Sequence, residues 1–424
     1  MLDRLKRRVF PLLAAIGLLA AGMYTTTWGP TMIGRSEWAL PYDLWGTLTA
    51  TTRLVHGNIG GLYTAPTGLV SLPGAAVILV PLAALIVASG LSLQIPGPHN
   101  LHPAVWLLAG PYQILLSCVT LFAADALAEQ LGVSRWKRAL LAAASAGALW
   151  SVSARWGHPE DAVAVGLLLY AILALSRSRT ALAGWLMGAA VCVQPLVLLA
   201  LPVLLAVLPW RRMPLFLLRS AAPSIVLLGA AALANWHATY TSVTSQPNSP
   251  VINHPTAWTS LAPQMSSGNV AAGPARLATI VLACCCALAV RRRWLARENV
   301  RAGAGGAAGW PLAMLADVLW WAALTLALRS FFEPVMVSYY PWPALAVALI
   351  PAATLSWPRL IGASVLAGGL TAAAQGPSHD VWIWWAPLVA GLALMLALAY
   401  PRPGGAPDLS LTPARSPLPR GRPT

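Results

Sequence analysis

The sequence predicts an all-α, polytopic transmembrane protein, and three observations carry that prediction. First, 58% of the 424 residues are hydrophobic and only 9% are charged, against roughly 25% charged in an average soluble domain. So little polar material cannot coat a soluble enzyme of this size, and mean hydropathy of +0.68 excludes disorder. Second, apolar runs of about 20 residues recur along the chain, the length that crosses a bilayer as a helix. Third, 27 Lys and Arg against 12 Asp and Glu give a net charge of +15. These basic residues fall between the apolar runs, as the positive-inside rule requires, so the charge argues for a lipid bilayer and for no nucleic acid.

The runs predict helices at 9–29, 74–92, 104–131, 138–156, 162–177, 181–209, 214–236, 276–291, 308–330, 340–357, 360–375 and 382–400. The protein is thus expected to hold about 11–13 membrane segments. Arg4, Lys6, Arg7 and Arg8 precede the first run as in a secretory signal, but no small-x-small cleavage site follows, so it is read as a retained span. Basic clusters at 4–8, 135–138, 177–179, 211–212, 291–301 and 359 are assigned to the cytoplasm, together with both termini. This sidedness makes 181–209 enter and leave on one face, so a pair of half-spanning helices broken at Gln194-Pro195 is expected. The same parity makes one of the runs 74–92 and 104–131 re-entrant or broken. The outer loops, chiefly 30–70 and 237–275, carry most of the histidines and acids, which gives a plasma-membrane protein an extracytoplasmic working face. Residues 1–400 form the transmembrane domain. The tail 401–424, rich in Pro and Arg, is expected to be disordered and cytoplasmic. The five cysteines lie in apolar runs without metal or redox spacing and read as small buried residues.

Candidate chemistry concentrates on the outer face. Asp43 follows the first helix among the aromatics Tyr42 and Trp45. A carboxylate at the membrane–water boundary is placed to take a proton from a hydroxyl; the competing role is capping a helix over 44–56. His56 ends that stretch. The turn from Arg155 to Asp161 is the densest polar cluster near the membrane. The helix dipole accounts for Glu160 and Asp161 at a helix start, but not for Arg155 and His158. Arg155 either binds a phosphate or pairs with Asp161. His158, Glu160 and Asp161 also have the chemistry of divalent-cation ligands, ranked behind capping; no cofactor is otherwise indicated. In the loop 237–275, Trp258 is suited to stack on a sugar ring, and Asn253 and His254 to bond hydroxyls; a self-packed lid is the equal alternative. Arg329 beside Glu333 is either a phosphate site or a salt bridge, and Tyr339 joins it or belongs to an interfacial belt. Asp125 and Asp317, near run ends, are expected to be paired structurally or open to solvent.

No Walker A loop, dinucleotide fingerprint, HExxH or nucleophile elbow occurs. An outward-facing enzyme lacking a nucleotide domain needs an activated donor carried in the membrane. The order of elements resembles the GT-C superfamily of integral-membrane glycosyltransferases, and within it glycosyltransferase family 87, the polyprenol-phosphate-mannose-dependent mannosyltransferases. The residues that carry the resemblance are Asp43 after the first helix, then Gly57 and Tyr63, Leu72-Pro73 and Val80-Pro81. Gly157-His158, Gln194-Pro195, Trp210-Arg211-Arg212 and Ser338-Tyr339-Tyr340 follow in order. The sequence departs from the family pattern at Trp45, His158 and Gln194. The resemblance implies a GT-C-like fold and sugar transfer, with inversion, from a polyprenyl-phosphate donor to a glycolipid or glycan acceptor. It supports Asp43 as general base; from their own chemistry, Arg155, His158 and Arg329 are expected at the donor phosphate, and Tyr42, Trp45, His56, Asn253, His254, Trp258, Glu333 and Tyr339 around acceptor or sugar. The rival classes are a transporter or lipid-linked-sugar flippase, which the lack of an evident internal repeat disfavours, and a non-catalytic envelope-assembly protein.

Overall fold

The computed structural model describes residues 7–27, 40–64, 69, 71–93, 103–244, 248–302 and 310–401. The expected tail beyond residue 401 and the stretch 28–39 of the first outer loop lie outside them. The architecture is helical apart from one two-residue strand pair. Among the described residues, seven helical stretches, against the 11–13 segments expected, are long and apolar enough to cross a membrane: Val9–Thr27, Ala104–Gln130, Pro159–Ser176, Trp210–Ala234, Gly273–Ala296, Leu312–Phe332 and Val381–Ala399; Thr180–Val193, Pro195–Ala206 and Trp342–Ala352 are apolar but shorter. The chain is therefore a multi-pass membrane protein.

In chain order the helices are α1 (Val9–Thr27), α2 (Tyr42–Val55), α3 (Pro73–Val77), α4 (Val80–Ala88), α5 (Pro103–Ser117), α6 (Val119–Gln130), α7 (Arg135–Trp150), α8 (Pro159–Ser176) and α9 (Thr180–Val193). They continue with α10 (Leu201–Ala206), α11 (Met213–Ala234), α12 (Trp236–Thr244), α13 (Gly273–Ala302), α14 (Leu312–Phe332), α15 (Trp342–Ala352), α16 (Trp357–Ala373) and α17 (Ala386–Ala399). The central helix is α8, 89% of whose residues are buried, against 22% for the span in α13. A helix apolar all round is stable either inside a bundle or against lipid, and these two occupy the two settings. Small residues let the helices close. Gly166 of α8 sits where a Cβ would lie 2.7 Å from Val119, and Gly184 and Gly188 of α9, one turn apart, meet Arg219 and Pro223 of α11.

The cysteines divide differently from the expectation. Cys118 and Cys192 are buried, but Cys284 and Cys285 are exposed on α13. That helix turns an apolar face outward, so in this membrane protein an apolar run did not imply protein burial.

The helices break at Gln194-Pro195 and within 74–92, two of the places where the sequence led us to expect a break. Helix α9 begins beside the basic turn at Arg179 and ends at Gln194, whose backbone is extended (φ −152°, ψ 117°). A 3₁₀ stretch, Pro195–Ala200, and α10 then return to Ala206 and Leu208, whose carbonyls accept from Arg291. Each arm is shorter than a 30 Å hydrocarbon layer, yet the tip Gln194 meets Asp161 in the first turn of α8, so the hairpin runs deeper than the half-spanning pair expected. The awkward run 74–92 is the short pair α3 and α4, whereas α5 and α6 form one continuous span.

Contacts between helix ends define two faces. One gathers Arg8, Asp125, Glu129 and Arg138, with Arg177 bonded to Gln130 and Lys137 to the carbonyl of Leu355. Asp317 pairs there with Arg293 at 3.5 Å. The other face carries α2, the turn 156–158, the tip Gln194 and the strands β1 (His254–Pro255) and β2 (Val335–Met336), which pair antiparallel. Exposed tryptophans stand at both levels, Trp136 and Trp210 at the basic face and Trp236 and Trp382 at the other, as in the aromatic belts of membrane proteins.

Candidate functional site

The polar face is built around the start of α8. Helix α2 packs one stripe, Leu44, Leu48 and Thr51, into the protein. Asp43 stands off that stripe, and its side chain is 57% exposed. It is not the N-cap: that position is Pro41, which makes no side-chain cap bond, and Asp43 lies in the first turn of α2. A π-helical turn, Ser151–Arg155, closes α7, and Gly157 follows with φ +65°. A Cβ on Gly157 would lie 2.6 Å from Cγ of Pro41. Only glycine combines this left-handed backbone with so close an approach, and the approach brings the next residue, His158, to Asp43.

His158 joins two carboxylates. Its Nε2 lies 3.1 Å from Oδ2 of Asp43 and its Nδ1 2.7 Å from Oε1 of Glu160. The imidazole is buried, with its ring centre 4.3 Å from that of Tyr339. The hydrogen bond from His158 holds Asp43 below the usual carboxylate pKa, against burial. Burial works against charge on His158, but the Glu160 charge and the Asp43 bond outweigh it and raise its pKa well above the ordinary histidine value. Both nitrogens of His158, expected from the sequence at a donor phosphate, thus face carboxylates. Glu160 serves His158 rather than the helix dipole alone.

Asp161 is buried and accepts a 2.6 Å hydrogen bond from Nε2 of Gln194, the residue that interrupts the α9–α10 hairpin. The hydroxyl of Ser71 donates to Oε1 of the same Gln194 at 3.4 Å. Asp161 therefore pairs with the hairpin tip and not with Arg155. The guanidinium of Arg155 stands 5.6 Å from the ring of Trp156, and its Nε is buried with no hydrogen-bond partner. Arg329 stacks 3.7 Å above the ring of Tyr340, within electrostatic reach of Glu333 and Asp161. Among the described residues, neither arginine has an ion pair. Glu333, read as the neighbour of Arg329, instead forms its salt bridge with Arg276 of α13.

The long loop is strapped onto this face. His254 and Pro255 pair with Met336 and Val335, and Thr256 donates its hydroxyl to the carbonyl of Glu333. His254 stacks on Trp384, ring centres 3.6 Å apart, with His379 at 5.0 Å, and its Nδ1 donates to the carbonyl of Ser378. Burial lowers the His254 pKa, opposed by the Ser378 bond and aided by the His379 charge. Trp258 donates its ring N–H to the carbonyl of Phe331 and packs against Phe332; the Asn253 amide bonds the carbonyl of Ser249. Beside Asp43, Tyr42 is exposed and Trp45 donates to the carbonyl of Leu93. His56 stands apart, about 20 Å along α2 from Asp43 by helix rise, with Nδ1 bonded to the carbonyl of Thr52.

The structure thus brings together Asp43, His158, Glu160, Tyr42, Trp45 and Tyr339, with Asp161 and Arg329 linked to them electrostatically. Sequence reasoning missed Arg276, which sits in an apolar helix start with nothing to tie it to Glu333. It also left Gln194 without a contact to Asp161. Among the described residues, no group of three or more His, Cys, Asp or Glu side chains is arranged to hold a metal ion. Compared with protein-family models and with curated proteins, the chain matches none.

Proposed function

We propose that the protein is an integral-membrane glycosyltransferase. It moves a hexose (mannose, by the family resemblance) from a polyprenyl-phosphate donor to an extracytoplasmic glycolipid or glycan, with inversion. The observation that carries this reading is the exposed, hydrogen-bonded carboxylate of Asp43 on the face where Arg155 and Arg329 hold charge with no carboxylate pair. The basic clusters of the opposite face assign that one to the cytoplasm and this one to the outside.

In the reaction, the acceptor oxygen forms a bond to the anomeric carbon as the bond from that carbon to the phosphate oxygen breaks. The electron pair leaves with polyprenyl phosphate, and the hydroxyl proton passes to Asp43. The lowered basicity of Asp43 suits a transition state of oxocarbenium character, in which the hydroxyl becomes acidic late. Arg329 and Arg155 meet the charge that develops on the leaving phosphate; preorganised cations in a recessed site need little reorganisation at that moment.

The test is transfer from polyprenyl-phosphate mannose, with other polyprenyl-phosphate hexoses alongside, by the purified protein in lipid nanodiscs supplied with envelope glycolipids. A glycosylated product from the wild type, lost in Asp43→Asn, supports the reading. Absence of product with every donor overturns it.

One observation favours a second reading, a lipid-linked-sugar flippase. The broken hairpin whose tip Gln194 touches Asp161 has the pattern of the discontinuous helices at transporter sites. A flippase moves labelled lipid across a proteoliposome membrane and makes no covalent product.

A further inference from the structure

A neutral imidazole has one N–H and one lone pair, so it cannot donate to two carboxylates at once. His158 nevertheless faces Asp43 Oδ2 with one nitrogen and Glu160 Oε1 with the other. We infer that His158 is a doubly protonated clamp: anchored by Glu160, it fixes the Asp43 carboxylate at the rim, and losing one proton releases it. His158 and Glu160 are then positioning residues for the transfer; this role rests on Asp43 acting as base, although the clamp itself does not.

The surroundings favour the charged form. Asp43 faces His158 from α2, and Glu160 and Asp161 from α8. Tyr339 stacks on it ahead of α15, next to Tyr340. Arg329 of α14 reaches the cluster through Asp161, which Gln194 of the hairpin bonds as a neutral group. Three carboxylates thus lie around the one imidazole, and Arg329 acts on one of them, Asp161. The two ends of the clamp are unequal. Glu160 is buried and its bond is 2.7 Å; Asp43 is exposed and its contact is 3.1 Å. When His158 gives up a proton, the remaining one stays on Nδ1 toward Glu160. The Nε2 lone pair then faces Asp43 Oδ2, and the exposed carboxylate swings outward. Alkaline pH therefore disorients Asp43 while leaving it ionised.

The experiment is ¹³C NMR of histidine-labelled full-length protein in nanodiscs, with the His158 signal assigned by its loss in His158→Gln. His158 is expected to titrate above the other histidines. Glu160→Gln should lower its midpoint by at least tenfold in proton concentration, and Asp43→Asn should lower it by less. In the transfer assay, the alkaline limb of the pH profile should move down with Glu160→Gln, and His158→Gln should lower kcat about 100-fold, the cost of a misplaced reacting group. A merely structural role would scale activity without moving the limb. Titration of His158 at the ordinary value, or a midpoint unmoved by Glu160→Gln, overturns the clamp. If Glu160→Gln fails to fold, Asp43→Asn tests the same coupling from the exposed side, and an unmoved midpoint there has the same consequence. A raised, carboxylate-dependent midpoint in a protein that transfers no sugar supports the clamp and overturns the proposed function instead.

Discussion

The two ends of the bundle use charge in opposite ways. At the basic face, buried Asp125 accepts from both Arg8 and Arg138, Glu129 takes the second nitrogen of Arg8, and Arg293 lies beside Asp317. The acids there neutralise arginines and tie α1, α6 and α7 together. At the opposite face the acids contact a histidine and an amide, while Arg155 and Arg329 stay unpaired among the described residues. Only Glu333 there follows the basic-face pattern, with Arg276. An arginine closed into an ion pair has few N–H groups left for a ligand; one not bonded to a carboxylate keeps its donors free. The difference separates a structural end from a reactive one.

Five substitutions or conditions sharpen that contrast. Arg329→Ala should lower sugar transfer about 10²–10³-fold, the usual loss when one stabilising donor is removed, with stability changed little. Asp125→Asn should do the reverse. It leaves Arg8 and Arg138 facing a neutral amide in place of their shared carboxylate and should cost about 2–3 kcal/mol, less than the loss of a wholly buried pair because Arg8 is partly exposed. Thermal unfolding in detergent reads the cost, and turnover per folded molecule should be preserved. Gly157→Ala should cost about 1–2 kcal/mol for the left-handed backbone. It should also push α2 away from the turn, lowering transfer as well as melting temperature.

The pH dependence of melting is the fourth. The Asp43 pKa is depressed, so its contribution to stability is present above the ordinary carboxylate range and is lost as pH falls through the folded value. The His158 pKa is raised, so its contribution is complete below the ordinary histidine value and is lost as pH rises through the folded one. Melting temperature should therefore peak between the two, and His158→Gln should remove the alkaline fall. Arg293→Ala should have the smallest effect. Its side chain is 42% exposed and 3.5 Å from Asp317, and such pairs contribute below about 1 kcal/mol.

The seven long spans were legible because hydropathy is a property of single segments, but it does not separate them from shorter apolar helices such as α15. The reversal at Gln194-Pro195 was legible because basic turns on both flanks allow no other parity. The pairing of Asp125 followed from an acid sitting near basic helix ends. Contacts across the bundle carried no such signal. Asp43 and His158 are 115 positions apart and meet only because Gly157 lets a turn press on Pro41. Their separate listing as base and phosphate ligand reflects that distance. Glu333 was assigned to Arg329 by proximity along the chain, but α14 ends there and its C-cap residue points to α13. The cysteines on α13 show the same limit: an apolar run does not reveal whether lipid or protein covers it.

The most direct measurement compares Asp43→Asn with Asp125→Asn in one nanodisc assay of transfer from polyprenyl-phosphate mannose, with melting temperature read on the same samples. Asp43→Asn should abolish product at near-normal stability, whereas Asp125→Asn should melt early yet turn over normally per folded molecule. Full turnover by a well-folded Asp43→Asn protein would contradict this expectation.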